Sequence, residues 1–198
     1  MTTILRSLVC LTAGLLAAGC GGGSSATMRL MDAPPPGVTA VNIWVASMEA
    51  HVASESDPTT DSDPTDGRID DDGQWHSLNV DRSIDLVAHE GESTAEVLGQ
   101  LPLPAGKITQ IRLVIDTGKA NTATFNRVVC NLDTTQVAKK GIKINHVFKA
   151  FGSHDGGKLD VLVDFQLDKS LTPAGNCFAL SPSLHLTKVK IDGVERKE

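Results

Sequence analysis

From Val38 to Ile191 apolar and polar side chains alternate with a period of two, the mark of strands with one buried and one wetted face. In the clearest run Leu159, Val161, Val163, Phe165 and Leu167 point one way and Asp160, Asp164, Gln166 and Asp168 the other, with Leu162 as the one exception. The same alternation sets Thr109, Ile111, Leu113 and Ile115 against Gln110, Arg112 and Asp116, and Phe178, Leu180, Leu184 and Leu186 against Ser181, Ser183 and His185. Further strands are predicted over 41–52, 75–78, 84–88, 125–130, 142–149 and 187–191. In the first of these Val41, Ile43 and Val45 share a phase that Met48 and Val52 do not, so a bulge is predicted near Ala46-Ser47.

Turn signals separate the runs: Pro34-Pro35-Pro36-Gly37, Pro102 to Gly106, Asp155-Gly156-Gly157 and Pro173-Ala174-Gly175-Asn176. Only Ser93 to Gln100 has any helical character, enough for one or two turns. Many short strands punctuated in this way predict an all-β fold, an antiparallel two-sheet β-sandwich of immunoglobulin-like or transthyretin-like type. No internal repeat is visible.

The N-terminus follows a different logic. Arg6 is the one charge in the first 28 residues, and Leu8 to Ala18 is apolar apart from Thr12 and Gly14. That length suits a signal-peptide core and is too short to span a bilayer. Leu15-Leu16-Ala17-Ala18-Gly19-Cys20 resembles the lipobox of bacterial lipoproteins, in which the cysteine is acylated and the signal removed before it. The predicted organisation is a signal peptide over 1–19, a flexible tether over 20–27 that begins at the lipidated Cys20, a β-sandwich over 28–193 and a tail over 194–198. Gly21 is not the Asp that retains lipoproteins at the inner membrane, so the expected place is the cell envelope, at the outer membrane of a Gram-negative bacterium.

Charge narrows the partners. Without residues 1–19 the chain has 17 basic and 24 acidic residues, and residues 55–72 hold eight of the acids against Arg68 alone. The balance elsewhere is even, so no basic surface points to nucleic acid. In the acidic run Asp61, Asp63, Asp66, Asp70 and Asp72 are candidate calcium ligands, since calcium takes closely spaced carboxylates and carbonyls. The spacing departs from an EF-hand: Pro64 stiffens the loop and no Glu closes it. The alternative is a solvated acidic loop. Apart from calcium no cofactor is expected.

Of the four cysteines, Cys10 falls in the signal and Cys20 carries lipid, leaving Cys130 and Cys177. An even pair in an exported domain predicts a disulfide. The six histidines form no His-x-His or His-x-x-x-His pair. His51, His76 and His185 could meet only through the tertiary fold, and Ser153-His154-Asp155 is adjacency in sequence, not a triad. Nucleophile-elbow, zincin and phosphate-loop motifs are absent, so no enzyme is predicted.

Several blocks then follow in order: Leu30-Met31-Asp32-Ala33-Pro34, Val41-Asn42-Ile43-Trp44-Val45, Met48-Glu49-Ala50-His51, Trp75-His76-Ser77-Leu78, Ile84-Asp85-Leu86, the run Leu103 to Leu113 and the run Val163 to Leu171. Together, over about residues 28–188, they resemble the bacterial lipoprotein family of domain of unknown function 4382. The block Leu103-Pro104-Ala105-Gly106, continuing through Thr109-Gln110-Ile111-Arg112-Leu113, carries most of the specificity. The resemblance implies a surface or periplasmic β-sandwich and no activity. Read as physics, Arg112 pairs across strands with Asp164 or Asp168, Asp32 caps a turn, Trp75 packs in the core or at an edge, and Trp44 faces solvent. The functional expectation is a lipid-anchored, non-catalytic binding or display module whose partners are the membrane and an envelope protein or glycan. The alternatives are calcium-dependent binding through the 55–73 loop and an unrecognised hydrolase.

Overall fold

The computed structural model describes residues 23–32, 34–53, 73–144, 151–154 and 156–196. In chain order the strands are β1 (Ser24–Met31), β2 (Val38–Ala53), β3 (Gln74–Asp85), β4 (Glu96–Leu103), β5 (Gly106–Ile115), β6 (Thr122–Phe125), β7 (Val128–Asn131), β8 (Ile142–Lys143), β9 (Phe151–Ser153) and β10 (Lys158–Asp164). One helical turn, α1 (Leu167–Ser170), precedes β11 (Leu171–Ala174), β12 (Cys177–Leu180), β13 (His185–Ile191) and β14 (Val194–Glu195).

The all-β expectation holds. One main sheet runs β14-β13-β10-β1-β4; the other runs β7-β6-β2-β5-β8, with β3 added to β2 and β9 to β5, and β11 and β12 pair with each other in a separate two-stranded sheet. One of the two main sheets curls into a half-barrel. Apolar residues from both inner faces, among them Met28, Leu30, Ile43, Met48, Ile111, Leu113, Val161, Val163 and Phe165, form one buried core. Burial of this kind is the dominant favourable term in folding.

The fold is not purely antiparallel. β1 pairs in parallel with β10, Ser25 opposite Lys158 and Met31 opposite Asp164. A parallel pair needs a crossover rather than a hairpin, and here all seven strands of the second sheet, with β4 of the first, intervene between the two strands. The domain also exceeds the predicted 28–193 at both ends. Residues 24–27, read as tether, are strand, because Ala26 continues the buried phase of Met28 and Leu30. Val194 and Glu195, read as tail, pair with Ile191 and Lys190.

Local departures have local causes. The expected strand over 125–130 is a hairpin, β6 to β7, turned at Asn126 and Arg127, both at positive φ (51° and 66°). The helical reading of 93–100 gives way to a 3-10 turn at Glu92–Thr94 followed by β4. The strand expected over 84–88 ends at Asp85, whose carboxylate accepts the backbone N–H groups of Val87 and Val41 and starts a 3-10 turn at Leu86–Ala88. Residues 145–149 of the strand expected over 142–149 lie outside the described residues. The bulge in β2 is present, with the register shifting between Val45 and Ser47 against both β3 and β5.

Leu162, the exception in the alternation of β10, is almost fully buried although it lies on the polar face. Its cross-strand neighbours are Arg29 and Lys188, whose aliphatic stems can cover it while their charges stay wet. Those charges meet Glu92: Lys188 hydrogen-bonds its carboxylate, Lys190 Nζ lies 3.3 Å away and Arg29 3.6 Å away, and Arg29 also holds Asp160 at 2.8 Å. The Lys188 hydrogen bond holds the Glu92 carboxyl below the ordinary value, and the same bond raises Lys188.

Two glycines permit close approaches. A Cβ on Gly106 would lie 2.5 Å from the Ala53 carbonyl oxygen, where β5 starts beside the end of β2. One on Gly99 would lie 3.2 Å from Leu78, where β4 of one sheet nears β3 of the other. Both sit at positive φ, which a side chain would strain.

Candidate functional site

The bulge at Ala46-Ser47 decides what the outer face of the larger sheet carries. Before it Trp44 points outward; after it Ser47, Glu49 and His51 do, while Val45, Met48 and Ala50 stay in the core. A second shift places Thr109 and Gln110 together opposite His51, between the pairs Ala50 with Ile111 and Val52 with Ile108. Thr109 is therefore outside, not in phase with Ile111 as its alternation predicts. Register then puts Glu49 opposite Arg112 on β5 and His51 opposite Trp75 on β3.

These residues form one cluster across three strands. The Arg112 guanidinium pairs with Glu49 and lies 3.8 Å from the centre of the Trp75 ring. Ser47 and Ser77 donate to the other Glu49 oxygen at 3.2 and 3.5 Å. The His51 ring lies tilted against Trp75, centroids 5.1 Å apart, and its Nδ1 is 2.7 Å from Thr109 Oγ1. The Arg112 and Glu49 side chains are only 23% and 15% exposed, so the pair is better shielded from solvent than an ordinary surface ion pair. The Arg112 partner is thus Glu49, not Asp164 or Asp168; Asp164 lies on β10 of the other sheet and Asp168 in α1.

Chemically the cluster is a latch. Arg112 occupies one face of Trp75 and is itself held by Glu49, so charge, ring and hydroxyls satisfy one another. Trp75 is not in the core but at a sheet edge, half-buried on the outer face of β3, which among the described residues pairs with β2 alone. Trp44, further along that face, is also half-buried; its Nε1–H donates to Asp81 at 3.0 Å, and Lys119 approaches the ring at 5.1 Å. A double-mutant cycle on Arg112→Ala and Glu49→Ala, followed by urea denaturation, should give a coupling of about 1 kcal/mol. Strict additivity would show that the latch contributes nothing.

The other predicted residues fall as follows. Cys130 on β7 and Cys177 on β12 are bonded, with Cα atoms 5.7 Å apart, as the pair in an exported domain predicts. The bond ties the β6–β7 hairpin to the β11–β12 hairpin, where Phe125 and Phe178 meet edge to face at 5.5 Å. Asp32 is buried, and its Oδ1 accepts the Leu167 N–H at the start of α1 at 2.8 Å, a turn distant in the chain from the Ala33-Pro34 turn that the sequence suggested. His51, His76 and His185 do not converge: His51 is buried on β2 against Trp75 and Thr109, His76 has the next phase on β3, and His185 is in the other sheet. Ser153 donates to the carbonyls of Pro104 and Gly106, and His154 pairs with Asp192 at 2.7 Å. Asp192 also accepts the Lys158 N–H, and these two bonds, that from Lys158 first, hold its carboxyl low. Cys20, Asp61, Asp63, Asp66, Asp70 and Asp72 lie outside the described residues. Among the described residues no three of His, Cys, Asp and Glu gather where they could hold a metal ion, and no helix is long and apolar enough to cross a membrane.

A family model described as Domain of unknown function (DUF4382) matches residues 24–182. The chain belongs to this family. The match begins at the first residue of β1 and takes in the whole latch of the DUF4382 domain, together with Cys130 and Cys177. No curated protein matches the chain. Apart from Ser47, the members of the latch come from three of the blocks on which the resemblance rests: Glu49 and His51 from Met48 to His51, Trp75 and Ser77 from Trp75 to Leu78, and Thr109 and Arg112 from Leu103 to Leu113. Sequence reading alone missed their meeting. The available signal was the outward phase of Glu49 after the bulge, combined with the outward phase of Arg112.

Proposed function

We propose that this DUF4382 protein is a lipid-anchored envelope protein, attached through Cys20 to the outer membrane of a Gram-negative bacterium, and that its sandwich is a non-catalytic module displayed to an envelope protein or glycan. One observation carries the reading: β1 starts at Ser24, so three residues separate Cys20 from the folded domain. The apolar run ending in Ala-Ala-Gly-Cys therefore leads after three residues into the folded domain, so that lipid on Cys20 ties that domain to the bilayer. Arg112 pairs with Glu49 on the outer face of the larger sheet and Lys188 with Glu92 on the polar face of the smaller one, so both faces present paired charges. A single acyl chain gives only marginal membrane binding, and a lipoprotein cysteine carrying more than one chain holds stably.

The test is fractionation with intact-mass analysis. The wild-type chain should sediment with membranes, start at Cys20 and carry the mass of attached acyl chains. Cys20→Ser should lose that mass and appear in the soluble fraction. A variant that stays in the membrane fraction unchanged would refute the anchor.

A further inference from the structure

The two sheets share a common polarity. At one end Ser24 pairs with Leu103, Ser25 with Lys158, Ala53 with Lys107 and Gly106 with Ser153. Ser24 Oγ donates to the Leu103 carbonyl, Ser25 N–H to that of Gly157 and Asp192 N–H to that of Lys158. The start of β1, the end of β2, the β4–β5 turn at Pro104-Ala105, the approach to β10 and the β13–β14 turn therefore lie together. At the other end Met31 pairs with Asp164, Leu30 with Glu96 and Val38 with Phe125, and Asn126 N–H donates to the Gly37 carbonyl. The β6–β7 turn belongs to this second end, with Phe125, Val128 and Val129 exposed beside it.

We propose that the domain stands on the bilayer by its first end, with Pro104-Ala105, Lys158 and Asp192 to Val194 against the phospholipid headgroups, and carries the β6–β7 hairpin outward. The inference rests on the anchor at Cys20 proposed above. Four residue steps join Cys20 to Ser24, and a chain spans at most about 3.6 Å per residue, so the anchor reaches roughly 14 Å from the start of β1. The eight residues of β1 rise about 26 Å toward the far end. With so short a leash the near end is the part held at the headgroups. Pro104, Ala105 and Val194 there are exposed and apolar. The acidic segment 55–72 also leaves and re-enters the domain at this end, beside the pair Val52 with Gln74. The headgroups it meets are therefore zwitterionic, since an anionic surface would repel it. The apolar hairpin is then kept away from the anchoring leaflet and open to whatever the far end meets.

The test uses the full acylated chain in phosphatidylcholine vesicles that contain headgroup-spin-labelled lipid, with a fluorophore on Ala105→Cys or on Val128→Cys. Both sites are exposed. Quenching should be several-fold stronger at 105 than at 128, and a water-soluble quencher should reverse the order. Equal quenching at both sites, or stronger quenching at 128, on protein that floats with the vesicles would overturn the orientation and indicate a domain lying on its side or inserting its hairpin. Protein that does not float with the vesicles would overturn the anchor itself.

Discussion

Replacing Cys130 and Cys177 together by alanine will lower the stability of the domain by about 4 kcal/mol, since a cross-link closing a loop of this size removes that much loop-closure entropy from the unfolded chain. The sequence separation is 47 residues. For a domain of this length each kcal/mol moves Tm by about 2–4 °C, so a fall of roughly 8–16 °C is expected by calorimetry. The loss should be local at first. The β11–β12 hairpin forms a separate two-stranded sheet, joined to β7 by this bond, to β6 by the Phe125–Phe178 contact and to the segment after β7 by the backbone bonds of Asp133 with Phe178 and Leu180. Amide exchange should therefore accelerate in 171–180 before it does in β1 or β2. A Tm unchanged to within about 2 °C would mean that those other contacts already restrict the hairpin.

Phe165→Ala should cost about 3–5 kcal/mol, the range for emptying an aromatic site in a close-packed core. Phe165 is fully buried and is the largest such side chain. Its surroundings cannot easily collapse into the cavity, because the backbone on both sides is pinned. Phe165 N–H donates to the Met31 carbonyl at 2.9 Å, Leu167 N–H to Asp32 at 2.8 Å, and the Ser170 hydroxyl to the Phe165 and Gln166 carbonyls at 3.1 and 2.9 Å. Gln166 between them sits at φ 51°. Urea denaturation should show a lower midpoint at an unchanged m-value. Phe165→Leu, which keeps most of the volume, should lose less than about 1.5 kcal/mol. An alanine variant within about 1 kcal/mol of wild type would show that the turn relaxes into the space.

Much of the fold was legible because strand periodicity is a local property. The alternation of β10 needs only its own residues, and so does the phase change that marks the bulge in β2. The 125–130 region misled for the same reason: Phe125, Val128 and Val129 all favour strands, and nothing in Asn126-Arg127 as loudly as a Gly announces a two-residue turn. The parallel β1–β10 pair and the Thr109-Gln110 bulge were not legible, since each depends on which strand lies alongside. At the candidate site, Arg112 was read correctly as outward-facing and assigned the wrong partners. Orientation follows from its own strand, whereas Glu49 becomes its neighbour only through the register of β2 against β5.

By itself the sequence determined an all-β domain, the phase of most strands, the bulge, and the two cysteines that bond. These rest on period, turn chemistry and parity, which act over a few residues or by elimination. Only the tertiary structure decided that Glu49, Trp75 and Arg112 form one latch, that Leu162 is covered on the polar face of its sheet, and that β1 starts at the same end as the β4–β5 turn. Each of those is a contact between residues distant in the chain. Side-chain period states which face a residue takes, but strand order and register choose what it meets there, and both are set by the packing of the whole core.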